Sequence, residues 1–297
     1  DEPDNQLQTI TSFDPDAAGN MVIYGTGGTG KTVALRTIAA AAGLTARGGP
    51  CHVYGIDYGA RGLSMLEVLP HVGSIISGDD NERVIRLLKT LREIIDERAL
   101  RFAKVNAGSI VEYRALSGER DEPRILLLLD GFGGFRQNYE VGPYSKWYDV
   151  LGNIAADGRQ VGVHLVLTVD RPGAVPPALS SLVQSRLVLR LAKVEDLSML
   201  NVPVDALPDD SPPGRGFYQD REVQIAVLGG DPNVAAQAKQ MELFAATLRR
   251  GGMAEAAPIG SLPESVLLSS LPTSVGQAPT LGLGDESLAP VGFAHEG

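Results

Sequence analysis

Cys51 is the only cysteine among 297 residues. It has no partner for an internal disulfide, which points to a reducing compartment. No stretch approaches the roughly 20 apolar residues of a membrane-spanning helix, and no opening segment reads as a signal peptide. Aromatic residues are scarce, at 5%. Trp147 and Tyr148 therefore read as core or interface packing rather than as a base-stacking platform. Cys51 and His52 lack metal partners at a useful spacing, and His71 and His164 read as packed turn and strand residues. Residues 252–297 carry five acids and neither Lys nor Arg. The net charge is −10, of which the rest of the chain holds −5, with 31 acidic against 26 basic residues. A mildly acidic body leans away from DNA as a partner, although a ring can line its pore alone with arginine.

What the chain does have is concentrated between Met21 and Gly43. Met21-Val22-Ile23-Tyr24 is a short apolar strand, followed by Gly25-Thr26-Gly27-Gly28-Thr29-Gly30-Lys31-Thr32 and an Ala- and Leu-rich helix. The loop fits G-x-x-x-x-G-K-[ST]. Glycines let several backbone N–H groups converge on one anion, and the helix N-terminus adds partial positive charge. Gly25 through Val33 are therefore the candidate phosphate cradle for ATP. Lys31 is expected to reach the β- and γ-phosphates, and Thr32 to place its hydroxyl on Mg²⁺.

The rest of the chain alternates strands and helices. His52–Asp57 and Val72–Ile76 read as strands, with Arg47-Gly48-Gly49-Pro50 and Gly59-Ala60-Arg61-Gly62 as turns. Asp79 to Lys104 reads as a helix capped by Asp79 or Asp80, with Val84, Leu87, Leu88, Leu91 and Ile95 in one apolar stripe. Ile125–Leu129 is an apolar run without alternation, as expected of a strand buried on both faces of a parallel sheet. His164–Asp170 repeats that pattern, Leu187–Leu191 and Val223–Leu228 add strands, and Asn233 to Arg250 forms a closing helix. The alternation implies a doubly wound α/β domain. It divides into a lead-in (1–20), the body (21–250) and a Pro/Ser/Gly-rich linker (251–297). Without an initiator Met, the chain reads as part of something longer.

Strand tips carry the functional groups in such sheets. Asp130 is the expected Mg²⁺ acid beside Thr32. Thr168 and Asp170, at the next tip, are candidates to feel the γ-phosphate. Asp57 reads as a turn residue. Ring ATPases that hydrolyse briskly place a Glu directly after the metal acid to orient water; here Gly131 stands there. Losing that group removes powers of ten in rate and leaves binding, with Asp170 as a partial substitute. Arg171, Arg186, Arg190 and Arg215 are all candidate arginines acting on a neighbour, Arg215 within the loop Pro212-Pro213-Gly214-Arg215-Gly216.

The order of motifs resembles the FtsK/SpoIIIE motor ATPases. The P-loop is followed by Leu69-Pro70-His71-Val72, a long helix ending Asp96-Glu97-Arg98, and Tyr113-Arg114. The Asp130 strand comes next, then Val161–Thr168 leading to Arg171-Pro172. DNA translocases of the group carry Asp-Glu at the second acid and Gln before Arg-Pro. Asp130-Gly131, Asp170 and the Pro-Gly-Arg-Gly loop make this chain more similar to the EccC/EssC ATPases of type VII secretion.

That resemblance implies a RecA-like P-loop NTPase, with a mainly parallel sheet and helices on both faces. It implies a domain that binds ATP and Mg²⁺ with little turnover of its own. Its partners would be neighbouring FtsK-like domains of the same chain, a hexameric ring and secreted proteins. It would lie at the cytoplasmic face of the membrane, anchored through other parts of the protein. Leu281–Val291 resembles the lead-in to another such domain, which would make this the second of three. The alternatives are a DNA translocase module and a module that captures a secretion signal.

Overall fold

The structure is a computed structural model that describes residues 10–44, 49–285 and 288–293. The strands are β1 (Asn20–Tyr24), β2 (Cys51–Asp57), β3 (Val72–Ser77), β4 (Arg124–Asp130), β5 (Val163–Val169), β6 (Val183–Leu189), β7 (Arg215–Tyr218) and β8 (Arg221–Gln224). Three short ones follow: β9 (Ser274–Val275), β10 (Ala278–Leu283) and β11 (Pro290–Gly292). The helices are α1 (Pro15–Ala18), α2 (Lys31–Ala42), α3 (Asn81–Lys104), α4 (Ile110–Ser117), α5 (Phe132–Tyr139), α6 (Ser145–Asp157), α7 (Pro177–Ser180), α8 (Glu195–Met199) and α9 (Val234–Arg250).

The first eight strands form one sheet in the order β3-β2-β4-β5-β1-β6-β7-β8. From β3 to β6 every neighbouring pair is parallel; β7 and β8 return antiparallel. Unbroken apolar runs are what such a sheet needs, because successive side chains enter two different cores. Ile125, Leu127 and Leu129 of β4 join α3, α5 and α6 on one face, while Leu126 and Leu128 join α2 and α9 on the other. Full burial of each such leucine contributes about 1.5–3 kcal/mol. The expected α/β architecture, with helices on both faces, is the one observed.

Local chemistry fixes the helix ends. Asp80, rather than Asp79, caps α3 by accepting from Arg83 N at 3.1 Å, and all five residues of the expected stripe are buried. Asn233 caps α9 through the N–H groups of Ala235 and Ala236. Two strand expectations are corrected. β6 begins at Val183, because exposed Gln184 and Arg186 alternate with buried neighbours, and it ends at Leu189. β8 ends at Gln224 instead of running to Leu228, and it pairs with β7, which the sequence reading missed. Their hairpin turns through Gln219 and Asp220, both at positive φ (51° and 59°). These residues carry none of the Asn-Gly signal by which such turns are recognised.

The described part of the lead-in is tied to the amino ends of the strands. Asp16 pairs with Arg124. The Asn20 amide donates to the carbonyls of Ala155 and Leu182 and accepts from Leu165 N. Beyond Gly251 the chain runs along edge strand β3. Ala256 N donates to the Pro70 carbonyl, Ile259 N to Ser74 Oγ, and Arg83 and Arg86 to the carbonyls of Ile259 and Gly260. β9 to β11 form a separate antiparallel sheet. Residues 1–9 of the lead-in, Arg47-Gly48 of the expected turn, and Glu286-Ser287 and residues 294–297 of the tail lie outside the described residues.

Candidate functional site

The crossover from β1 to α2 builds the phosphate cradle. Gly25 N donates to Val169 O and Thr26 N to Arg190 O, which anchors the loop to the two flanking strands. Gly28 (φ 77°) and Gly30 (φ 106°) adopt left-handed backbone that a side chain resists. Gly30 also packs against Gly214, whose N–H donates to Thr29 O at 2.8 Å. Gly27 and Gly28 are exposed, and a Cβ built on either would meet no atom within 4 Å. Lys31, Thr32 and Val33 form the first turn of α2, whose N-cap Gly30 supplies no side-chain acceptor. The orphan N–H groups there are available to an anion.

Lys31 Nζ folds back over the loop. It donates to the carbonyls of Gly25 (2.5 Å) and Thr26 (3.0 Å) and to Asp170 Oδ1 (2.8 Å). Asp170 is otherwise open, its side chain 80% exposed. At the candidate metal residues, Thr32 Oγ1 donates to Asp130 Oδ2 at 2.6 Å, and Thr168 Oγ1 donates to Asp130 Oδ1 at 2.7 Å. Thr168 also accepts from Gly131 N at 2.8 Å. β5 lies between β1 and β4, so the structure brings Lys31, Thr32, Asp130, Thr168 and Asp170 together. A hydroxyl and a carboxylate are part of the hard oxygen set that Mg²⁺ takes; phosphate oxygens and waters complete such a shell.

Asp57 stands beside Asp130 in register but does different work. Its carboxylate accepts from Gly59 N (2.8 Å) and Leu63 N (2.9 Å), pinning the loop after β2. Arg36 lies beneath that loop, donating from Nε to Gly62 O and from Nη1 to Gln237 Oε1 of α9. Burial lowers the Arg36 pKa, opposed by the charges of Asp130 and Asp57. Sequence reading missed Arg36, because nothing in an Ala-rich helix marks one arginine as buried. It also missed Tyr58, which packs against Gly131. Gly131 itself sits at φ 83° as the N-cap of α5.

The four candidate arginines separate. Arg190 donates to the Asp209 carbonyl, and Arg215 pairs with Glu222 and bonds Gln224. Arg171 and Arg186 are exposed.

Residues 4–206 match the sequence model of the FtsK/SpoIIIE family. The ESX-4 secretion system protein EccC4 of Mycobacterium tuberculosis is 30% identical over 280 residues, which take in 93% of this chain and 21% of that protein. The ESX-1 secretion system protein EccCb1 of the same species is 26% identical over 285 residues, covering 91% of this chain and 46% of the relative. This chain thus spans less than half the length of either. Among solved structures, Thermomonospora curvata EccC (ATPases 2 and 3), in complex with a signal sequence peptide, superposes with a TM-score of 0.73 at 26% identity. It takes in 95% of this chain and 52% of that one. EssC (ATPases 2 and 3) from Geobacillus thermodenitrificans has a TM-score of 0.84 at 22% identity and 99% coverage of this chain, against 57% of its own, a likeness of fold.

Proposed function

The chain belongs to the FtsK/SpoIIIE family, with EccC/EssC ATPases of type VII secretion as its near relatives, and from that premise we propose that it binds ATP·Mg and turns it over slowly by itself. The observation that carries this reading is the pairing of a complete phosphate loop with a metal acid followed by glycine. Gly25 to Val33 would hold the phosphates, Lys31 leaving Asp170 to reach the β- and γ-phosphates. Thr32 and Asp130 would hold Mg²⁺, and Thr168 would keep Asp130 aimed by its hydrogen bond. The ion's chemistry when bound is to neutralise phosphate charge.

The shortage is of a group to take a proton from water. Asp130 is engaged with Thr32 and Thr168 and Asp57 with backbone N–H groups, which leaves only Asp170, once Lys31 turns to the phosphates, as a partial substitute. Gly131 offers nothing in their place. Bound ATP would then act mainly as a structural and regulatory ligand, stabilising the fold by RT ln(1 + [L]/Kd), about 2.7 kcal/mol at a hundred times Kd. We place residues 21–250 as the ATPase unit and 251–297 as the connection to a following domain. It would work beside linked ATPase domains in a ring at the cytoplasmic face of the membrane, exporting proteins. The test is Mg²⁺-dependent ATP binding alongside phosphate release. Binding with little release supports the reading; brisk release refutes it.

A second reading is favoured by the relative solved with a signal sequence peptide: this domain captures such a peptide. Binding of a labelled signal peptide to the chain, with and without ATP, tests it.

A further inference from the structure

Three glycines face one tyrosine beside the site. Tyr58 leaves β2 directly after Asp57, and its N–H donates to the Asp130 carbonyl at 2.9 Å. A Cβ at Gly78 would lie 2.3 Å from the Tyr58 ring, one at Gly134 2.7 Å from the ring, and one at Gly131 3.2 Å from the Tyr58 Cβ. Gly78 and Gly134 therefore leave no room for any side chain while the ring stays in place. Phe135 closes the slot, meeting the ring edge-on at 6.2 Å. At Gly131 two obstacles combine: a left-handed backbone (φ 83°) and a Cβ direction that runs into Tyr58 and towards Gly59 N, 3.9 Å away.

We infer that Tyr58 is a positioning residue that keeps a water-activating carboxylate out of this site. Its Cβ stands 3.2 Å from where a side chain at position 131 would begin, while Gly78 and Gly134 form the cradle that holds the ring there. The inference rests on the proposed roles of Asp130 and of the position after it. It makes the slow turnover a property of packing between two strand tips, not of one missing residue. Restoring the acid then takes two changes. With the tyrosine gone, a side chain at position 131 loses its one contact tighter than 3.4 Å, and an introduced carboxylate would accept a proton from water. The water oxygen would bond to the γ-phosphorus as the bond to the bridging oxygen breaks and ADP leaves.

The experiment compares Gly131→Glu, Tyr58→Gly and the double variant in the full chain, reading melting temperature, ATP·Mg binding and phosphate release. Gly131→Glu alone is expected to lower the melting temperature by about 4 °C or more and to leave phosphate release near the wild-type rate. The double variant is expected to lose less stability than the two single losses combined. Its phosphate release should rise about a hundredfold or more, the low side of what a general base supplies. Additive stability losses overturn the inference, as does a Gly131→Glu protein that gains that rate unaided. If Gly131→Glu fails to fold, Gly131→Ala carries the same Cβ, and its stability coupling to Tyr58→Gly decides the matter. A wild-type chain that binds no ATP·Mg would refute the proposed function, while the coupling of positions 58 and 131 would still be read from stability.

Discussion

β2 and β4 end side by side on the same residue type, and the two aspartates have been put to opposite uses. Asp57 turns its carboxylate onto the backbone of its own loop, whereas Asp130 keeps both oxygens on hydroxyls, one from the phosphate-loop helix and one from β5. The following residue accompanies the difference. After Asp57 comes a tyrosine with bulk to bury; after Asp130 comes a glycine whose left-handed backbone opens α5. Strand position alone does not set what a strand-end acid does. What the carboxylate faces decides, and here only one of the two faces Thr32.

Exchanging these roles one at a time tests that contrast. Asp130→Ala should weaken Mg²⁺-dependent ATP binding by roughly 10- to 100-fold, the range for groups that hold a metal through its outer shell, as read by titration with and without Mg²⁺. Asp57→Ala should leave that affinity nearly unchanged and instead cost stability. It strands the N–H groups of Gly59 and Leu63, a loss of about 2 kcal/mol visible in denaturant unfolding.

Asp16, at the other end of the sheet, is a third case. Burial opposes its charge, but contacts with His164 and Arg124 outweigh burial and hold the carboxyl well below the usual range. A carboxyl lowered in the folded state stabilises above its unfolded pKa of about 3.9, and that contribution is lost as pH falls further. Asp16→Asn should therefore melt lower than wild type at pH 7, and the two melting curves should converge as the pH drops below about 4.

The smallest effect belongs to Asp170→Asn. The Lys31–Asp170 pair is open to solvent on the Asp side, so it contributes at most about 1 kcal/mol. Freeing Lys31 should tighten ATP binding by no more than about fivefold. Weaker binding in this variant would show instead that Asp170 helps to hold the nucleotide.

These contrasts also mark how far the sequence could be read. The P-loop was legible because its chemistry is local: glycine backbone, one lysine and one threonine act within a few residues. Ile125–Asp130 was legible because a strand with two cores has no polar face to alternate with. The β7–β8 hairpin was not, since Gln219 and Asp220 take positive φ without the residues that usually signal it. Nor were Arg36 and Tyr58. Their burial depends on partners distant in sequence, Gln237 for the arginine and Gly131 and Gly134 for the tyrosine. Asp57 was read as a turn residue, and its bonds to Gly59 and Leu63 have that geometry. Thr168 is a sequence candidate for contact with the γ-phosphate, and its hydroxyl hydrogen-bonds Asp130 and Gly131. That geometry supports an aiming role.

The most direct measurement is calorimetric titration of the chain with ATP, with and without Mg²⁺, beside phosphate release from the same preparation. Saturable, Mg²⁺-dependent binding with phosphate release barely above background is the expected result. Brisk release by the unaltered chain would contradict the account, because Asp170, freed by Lys31, or Asp57, released from its backbone contacts, would then have to take the proton from water as well as the missing Glu would.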